Sequence, residues 1–262
     1  MQQRAALGPE LPGGFKNIAH RSKSGVVQLM HSRPDQVWSR EVAQRRSGVP
    51  WGPILGSRGV VFGLAAEGDK ELAFDSALNA ASHALSLDGN NILALKALSS
   101  INHYMGNIEE GERLAKKALD LNPNDPDTLA QLGWRLAVVG KFEEGIPYLE
   151  KAIERTRNAP GWYFHLIAIN HLLNGRYAEM LTAAKKGVLD GSGVSWCLVA
   201  IAQSKLGNKA AARAALEKMA EVSPGLGRDP GTFLRSHQAS ERIVTSLMAG
   251  LKEAGWTTPA GQ

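Results

Sequence analysis

The 262-residue chain has a single cysteine, Cys197. One thiol can neither close an internal disulfide nor form a CxxC metal or redox pair, so the chain suits a reducing compartment and must be held by packing. Taken alone, Cys197 reads as a small buried hydrophobe. No apolar run reaches the roughly 18 residues of a membrane span, and the N-terminus lacks the basic-then-apolar order of a secretory signal. These absences predict a cytoplasmic chain with no membrane partner. There is no GxxxxGK[ST] phosphate loop, HExxH pair, GxSxG elbow or regular GxGxxG, which removes the commonest nucleotide, zinc-protease and serine-hydrolase chemistries. His165 and His171 lie six apart and do not share a helix face as an i, i+4 ligand pair would. The expectation is a chain without catalytic residues, cofactor or metal. The paired acids Glu109/Glu110 and Glu143/Glu144 stand where helices open, and the helix dipole accounts for them.

Positive charge is short everywhere except at the start. The formal net charge is +5, yet residues 1–60 hold nine Lys/Arg against three acids, leaving 21 basic and 22 acidic residues for 61–262. The basic segment carries no aromatic ladder, zinc-ligand spacing or helix-turn-helix pattern, and positive charge alone gives only salt-sensitive, nonspecific contact with nucleic acid. No specific nucleic-acid partner is expected. Pro12, Pro34, Pro50 and Pro53 interrupt this stretch, so residues 1–58 read as a poorly ordered, Pro/Gly-rich extension.

What is present is a repeat. A 34-residue block from Ile92 to Asp125 is followed by a second of the same design from Pro126 to Ala159. Leu98 and Leu132 share the seventh place, Ser99 and Gly133 the eighth, Gly106 and Gly140 the fifteenth, and Ala118 and Ala152 the twenty-seventh. Blocks starting at Gly161 and Gly193 keep the fifteenth-place glycine as Gly175 and Gly207, and residues around Lys70 to Asp88 read as the second helix of an incomplete first repeat. Between blocks, "NPNDPD" stops one helix at Pro123 and starts the next with Asp125 as cap and Pro126 in its first turn. The small eighth place faces a small twentieth place, occupied by Ala77, Gly111, Gly145 and Ala212, with Met180 the exception. Pro147 is tolerable only if its helix starts late, near Phe142 or Glu143, or bends.

Two amphipathic helices per 34 residues with a glycine between them resemble the tetratricopeptide repeat, whose units stack because one helix pair cannot bury its own apolar face. The resemblance implies an all-α solenoid of four to five helix pairs over residues 59–224. Residues 225–262 then form a linker and a capping helix with the stripe Ile243, Val244, Leu247, Met248 and Leu251, expected to pack on the Asn208 to Val222 helix. Each repeat would lean on its neighbours alone.

In this family the second, fifth, ninth, twelfth and thirteenth places of the first helices line a concave groove. Carried onto this sequence, that places Lys96, Ser100, His103 and Tyr104 of one block, Asp127 and Trp134 of the next, and Trp162 and His165 of the third on the groove. The lysine and asparagine set with which some members clamp a terminal carboxylate is not reproduced. Tryptophan is enriched at binding hot spots, so Trp134 and Trp162 are candidate anchors for a protein or peptide, and the reading is compatible with a homo-oligomer.

The stretches "ALDLNPNDPDTLAQLGWRLAVVGKFEEGI", "APGWYFHLIAINHLLNGRYAEML" and "LMAGLKEAGW" further resemble the C-terminal repeat region of bacterial multidomain regulators, in which a class III adenylate/guanylate cyclase or winged-helix domain, often with a TolB-like segment, precedes the repeats. The segment "GFKNIAH" is similar to a strand that closes many cyclase domains. That resemblance implies a signalling role as a regulatory end, with the effector domain of a cyclase or transcriptional regulator outside this chain. The main expectation is a non-enzymatic interaction scaffold.

Overall fold

The computed structural model describes residues 70–188 and 191–258, with side chains described from residue 77 onward. The basic extension, its expected lack of order and the start of the first repeat lie outside the described residues. Among the described residues all regular structure is helical.

The helices are α1 (Lys70–Leu87), α2 (Ile92–Tyr104), α3 (Ile108–Leu121), α4 (Pro126–Val138), α5 (Phe142–Glu154), α6 (His165–Leu173), α7 (Tyr177–Val188), α8 (Gly193–Lys205) and α9 (Lys209–Val222). Three short or terminal helices follow: α10 (Pro224–Arg228), α11 (Pro230–Ser236) and α12 (Glu241–Ala254). A 3-10 turn, Gly161–Phe164, leads into α6. The pairs α2/α3, α4/α5, α6/α7 and α8/α9 are the four full repeats, and α1 packs on α2 as the second half of a preceding one. This is an all-α tetratricopeptide-repeat solenoid closed by a C-terminal helix.

The period is written by backbone geometry. Gly106, Gly140, Gly175 and Gly207 all have positive φ, +82°, +101°, +70° and +83°. At each fifteenth place the chain reverses through the left-handed region, which glycine enters without steric penalty. Helix starts follow capping chemistry at the repeat boundaries: Asn91 accepts a bond from Ala94 N at 3.0 Å, and Asp125 accepts from Thr128 N at 3.2 Å with Pro126 in the first turn. Side-chain acceptors here satisfy orphan N–H groups that the helix itself cannot.

Within pairs the small residues meet as their spacing predicts. A Cβ on Gly145 would stand 2.5 Å from Gly133 O and 2.7 Å from Ala137 N, and one on Gly133 would stand 2.6 Å from Gly145 O. Helices α4 and α5 therefore touch backbone to backbone. In the preceding pair Ser99 Oγ donates to Gly111 O at 2.6 Å. Pro147 lies inside α5, which begins at Phe142, so the late start is realised while the helix still forgoes the bond that residue 147 would donate to Glu143. Cys197 is buried, and burial pushes its thiol up to about 12.

The C-terminal helix differs from expectation in its seat. Contact with α9 exists, but α12 packs chiefly on α8 and also reaches α6. Gly250 causes this: a Cβ there would lie 2.6 Å from Ile201 Cγ2, so the missing side chain lets α12 settle onto α8. Ile243, Val244, Leu247 and Leu251 are buried in the main core cluster, and Met248 packs partly buried against it. Ile201 holds the ninth place of the fourth block, so the helix lies on the concave side of the array.

Candidate partner-binding groove

The concave face begins at α2 and α4, where a chain of polar groups crosses from one helix to the next. Lys96 Nζ lies 3.0 Å from Asp125 Oδ2 and also pairs with Asp127. Asp127 accepts from Gln131 Nε2 at 2.9 Å. Gln131 Oε1 in turn accepts from Arg135 Nη2 at 3.3 Å, and the same nitrogen donates to Ser100 Oγ. Burial works against the charged Asp125 carboxylate, but the Thr128 hydrogen bonds and Lys96 outweigh it and hold the carboxyl below its usual range. Arg135 is buried, and desolvation brings its guanidinium down to about 10 against the opposing pull of Tyr104 and Asp127.

Deeper in the groove, aromatic rings and histidines gather around a residue that sequence reasoning did not place there. His237, at the end of α11, stacks tilted on Phe233 at 4.6 Å between ring centroids and stands edge-on to Tyr104 and Trp134 at 6.2 and 6.3 Å. His103 meets Tyr104 and Trp134 edge-on at 5.3 and 5.6 Å. Its Nε2 is 3.2 Å from His237 O. A carbonyl only accepts, so Nε2 of His103 carries the proton. His237 Nδ1 is 2.7 Å from Phe233 O and donates by the same argument.

Two further contacts complete the crossing. Gln238 Nε2 donates to Tyr104 O at 3.4 Å, and Ser240 N donates to Val138 O at 2.9 Å. The chain thus turns back after α11 and runs across α2 and α4 before entering α12. Gln238 adopts φ +61°, a conformation that costs a non-glycine residue roughly 1–2 kcal/mol.

Burial dominates the electrostatics here. Desolvation lowers His103 to about 3, helped by the Arg135 charge and opposed by its bond to His237 O. His165 falls to about 3 and His237 to about 4 for the same first reason, and burial raises the Tyr104 phenol. All three histidines are neutral near pH 7. Under this cover several polar atoms find no protein partner: Trp134 Nε1, Arg135 Nη1, His165 Nδ1, His237 Nε2 and Ser240 Oγ.

The sequence-derived candidates divide accordingly. Lys96, Tyr104, Asp127 and Trp162 are half-buried, whereas Ser100, His103, Trp134 and His165 are buried. His103, Tyr104 and Trp134 come together beneath His237, and Lys96, Ser100 and Asp127 belong to the adjoining polar chain. Trp162 and His165 make their contacts elsewhere, although His237 also acts electrostatically on His165. Trp162 lies edge-on to Tyr163 at 4.4 Å, and His165 Nε2 sits 2.7 Å from Ser195 Oγ. His165 follows the 3-10 turn Gly161–Phe164, and it is buried like Ala130 and Cys197 at the same place of the second and fourth blocks. A serine beside a histidine is the start of a nucleophile-base pair, but Ser195 is 0% exposed, which leaves its hydroxyl no access to a substrate. Arg135, Gln131 and the His237 to Ser240 segment were missed. Arg135 and Gln131 could have been found as the polar residues of the otherwise apolar stretch Leu129–Val138.

No protein-family model and no curated protein matches the chain. Solved structures do. The chain is similar to PilW, a widely conserved type IV pilus biogenesis factor, with TM-score 0.55 and 16% identity over 78% of this chain and 94% of that one. It is also similar to a chain of the APC/C hetero-tetramer Cut9-Hcn1, with TM-score 0.58 and 12% identity over 82% of this chain and 44% of that one. YrrB, a tetratricopeptide protein with an unusual peptide-binding site, aligns at TM-score 0.44 and 17% identity over 72% of this chain and 94% of that one. At these identities the likeness to PilW and to the Cut9-Hcn1 chain concerns the fold alone.

Proposed function

We propose that this chain is a non-enzymatic scaffold that binds a protein or peptide segment in its concave groove, at the stretch of α2 and α4 carrying Lys96, Ser100, His103, Tyr104, Asp127 and Trp134. One observation carries the reading. The groove already holds a peptide segment, its own, and does so by the means used for peptides in general: a ring nitrogen of His103 bonds the carbonyl of His237, and the carbonyl of Val138 bonds the amide of Ser240. Main-chain bonds hold the segment while aromatic contacts with Tyr104 and Trp134 seat one side chain, His237. The likeness in fold to a chain of the Cut9-Hcn1 hetero-tetramer is in keeping with this, and among the described residues no helix is long and apolar enough to cross a membrane. The binding site is read as cytoplasmic, free of cofactor and independent of nucleic acid.

Selection from a displayed peptide library on the purified full chain tests the reading. Enriched peptides should share a motif, and their binding should fall at least tenfold in the Lys96→Ala and Tyr104→Ala variants. Peptides whose binding is indifferent to both substitutions would place the site elsewhere. A regulatory place beside a cyclase or DNA-binding domain rests on the resemblance of the "ALDLNPNDPD" and "LMAGLKEAGW" stretches, and a reading frame for such a domain joined to this one would establish it.

A further inference from the structure

The groove is covered by two pieces of chain whose attachment differs in kind. Helix α12 is part of the core: Ile243, Val244, Leu247 and Leu251 are all at most 1% exposed, and Gly250 lies against Ile201. The segment before it, Ser236–Ser240, is fastened to α2 and α4 by three long-range hydrogen bonds, those of His103, Tyr104 O and Val138 O. It holds a non-glycine residue at φ +61°. It also covers the groove without satisfying it. Trp134 Nε1 and Arg135 Nη1 are donors left without a protein partner, and the segment's own His237 Nε2 and Ser240 Oγ are left equally idle. A buried donor without a partner favours any occupant that supplies an acceptor. For Arg135 the need is electrostatic as well: it is buried, and the acid that acts on it, Asp127, also pairs with Lys96.

We propose that Ser236–Ser240 is a displaceable strap occupying the partner site of the groove, and that the segment displacing it is extended and acidic. This rests on the groove reading above and adds its regulation. A displacing peptide can repeat the carbonyl bond that His103 now makes to His237 O, while a carboxylate serves Trp134 Nε1–H and Arg135 Nη1–H, which the strap leaves bare. Helix α12 stays seated throughout, so opening exposes the α2/α4 stretch alone.

Ser240→Pro isolates the strap. Ser240 has φ −59°, close to the value proline imposes, so the substitution removes the bond to Val138 O at a backbone angle proline accepts. The probes are fluorescein-labelled decapeptides of residues 232–241, one of native sequence and one with His237→Glu, the strap position whose side chain stands against Trp134, titrated against the full chain by anisotropy. The Ser240→Pro protein should bind the native decapeptide at least tenfold more tightly than the unaltered chain. It should bind the Glu peptide several-fold more tightly again, and Arg135→Met should abolish that preference. Equal, tight binding by both proteins would overturn the strap while leaving the groove reading intact. Binding by neither, with both folded by circular dichroism, would overturn the strap as a groove ligand, and the library selection above judges the groove separately. No preference for the Glu peptide overturns the acidic partner. Residue-resolved hydrogen exchange on the unaltered chain gives an independent check: the Ser240 amide should exchange at least a hundredfold faster than that of Leu247, and equal protection would mean that strap and helix open only together.

Discussion

Acidification should loosen this fold well above the range where carboxylates titrate, and the cause is three buried histidines. His103 and His165 are held near 3 and His237 near 4 in the folded chain, against about 6.5 when unfolded. A depressed histidine binds fewer protons folded than unfolded. Its contribution to stability is therefore complete above about pH 6.5 and is lost as pH falls from there toward the folded value of 3 to 4. Each histidine then removes about 1.4 kcal/mol per pH unit, or about 2 kcal/mol between neutrality and about pH 5. Three together amount to about 6 kcal/mol, comparable with the whole stability of an ordinary domain. Asp125 and Glu112, whose carboxyls are lowered, add nothing in this window because their loss begins only below the unfolded carboxylate value. Urea unfolding at about pH 7.5 and about pH 5 measures the difference, with an unchanged slope required for the comparison to hold. His237→Gln should remove about a third of the effect. A midpoint that is the same at both pH values, or native resonances of His103, His165 and His237 that titrate near 6.5, would refute the argument.

Other substitutions probe the packing. Leu247→Ala should cost about 2–5 kcal/mol, the range for a buried leucine, read as a lowered thermal midpoint, since its side chain is 1% exposed; an unchanged midpoint would remove α12 from the core. Gly145→Ala should destabilise by about 1–3 kcal/mol through overpacking despite alanine's better helix propensity, because the added carbon would meet Gly133 O at 2.5 Å; a stabilised variant would show that α4 and α5 can part freely. Asp125→Ala should cost about 1–2 kcal/mol in chemical denaturation, from the lost cap and the lost partner of Lys96, and a neutral result would make both bonds ornamental.

The repeat array was legible because its rules are local. A glycine at each fifteenth place, Asp125 before Pro126 and the Gly133/Gly145 pair each report on geometry within one repeat, so a single sequence displays them. The groove was less legible. Its positions follow from α-helical register, which says which places share a face but not which of them, such as Trp134 and His165, end up buried. The stripe from Ile243 to Leu251 announced a buried face without naming its seat, since Gly250 and Ile201 are both visible in the sequence and their pairing is not. Least legible was the return of His237 and Gln238 to His103 and Tyr104, contacts that span 134 residues. No periodicity encodes them, and His237 reads in isolation as one more polar residue after a short helix.

That return changes how the array should come apart. Stacked repeats ordinarily fray from either end, each unit holding only its neighbours. Here the stretch just before the last helix is tied back to the second and fourth helices, so the final repeat cannot peel away while the ties hold. Closing a loop of this length carries an entropy cost that rises only slowly with its size, but the contact must wait until the intervening helices have stacked and brought its ends together. Stretching a single molecule between Lys70 and Trp256 should accordingly show a first rupture in which the ties give way at one force with little gain in length, followed by the stepwise unravelling of an ordinary solenoid.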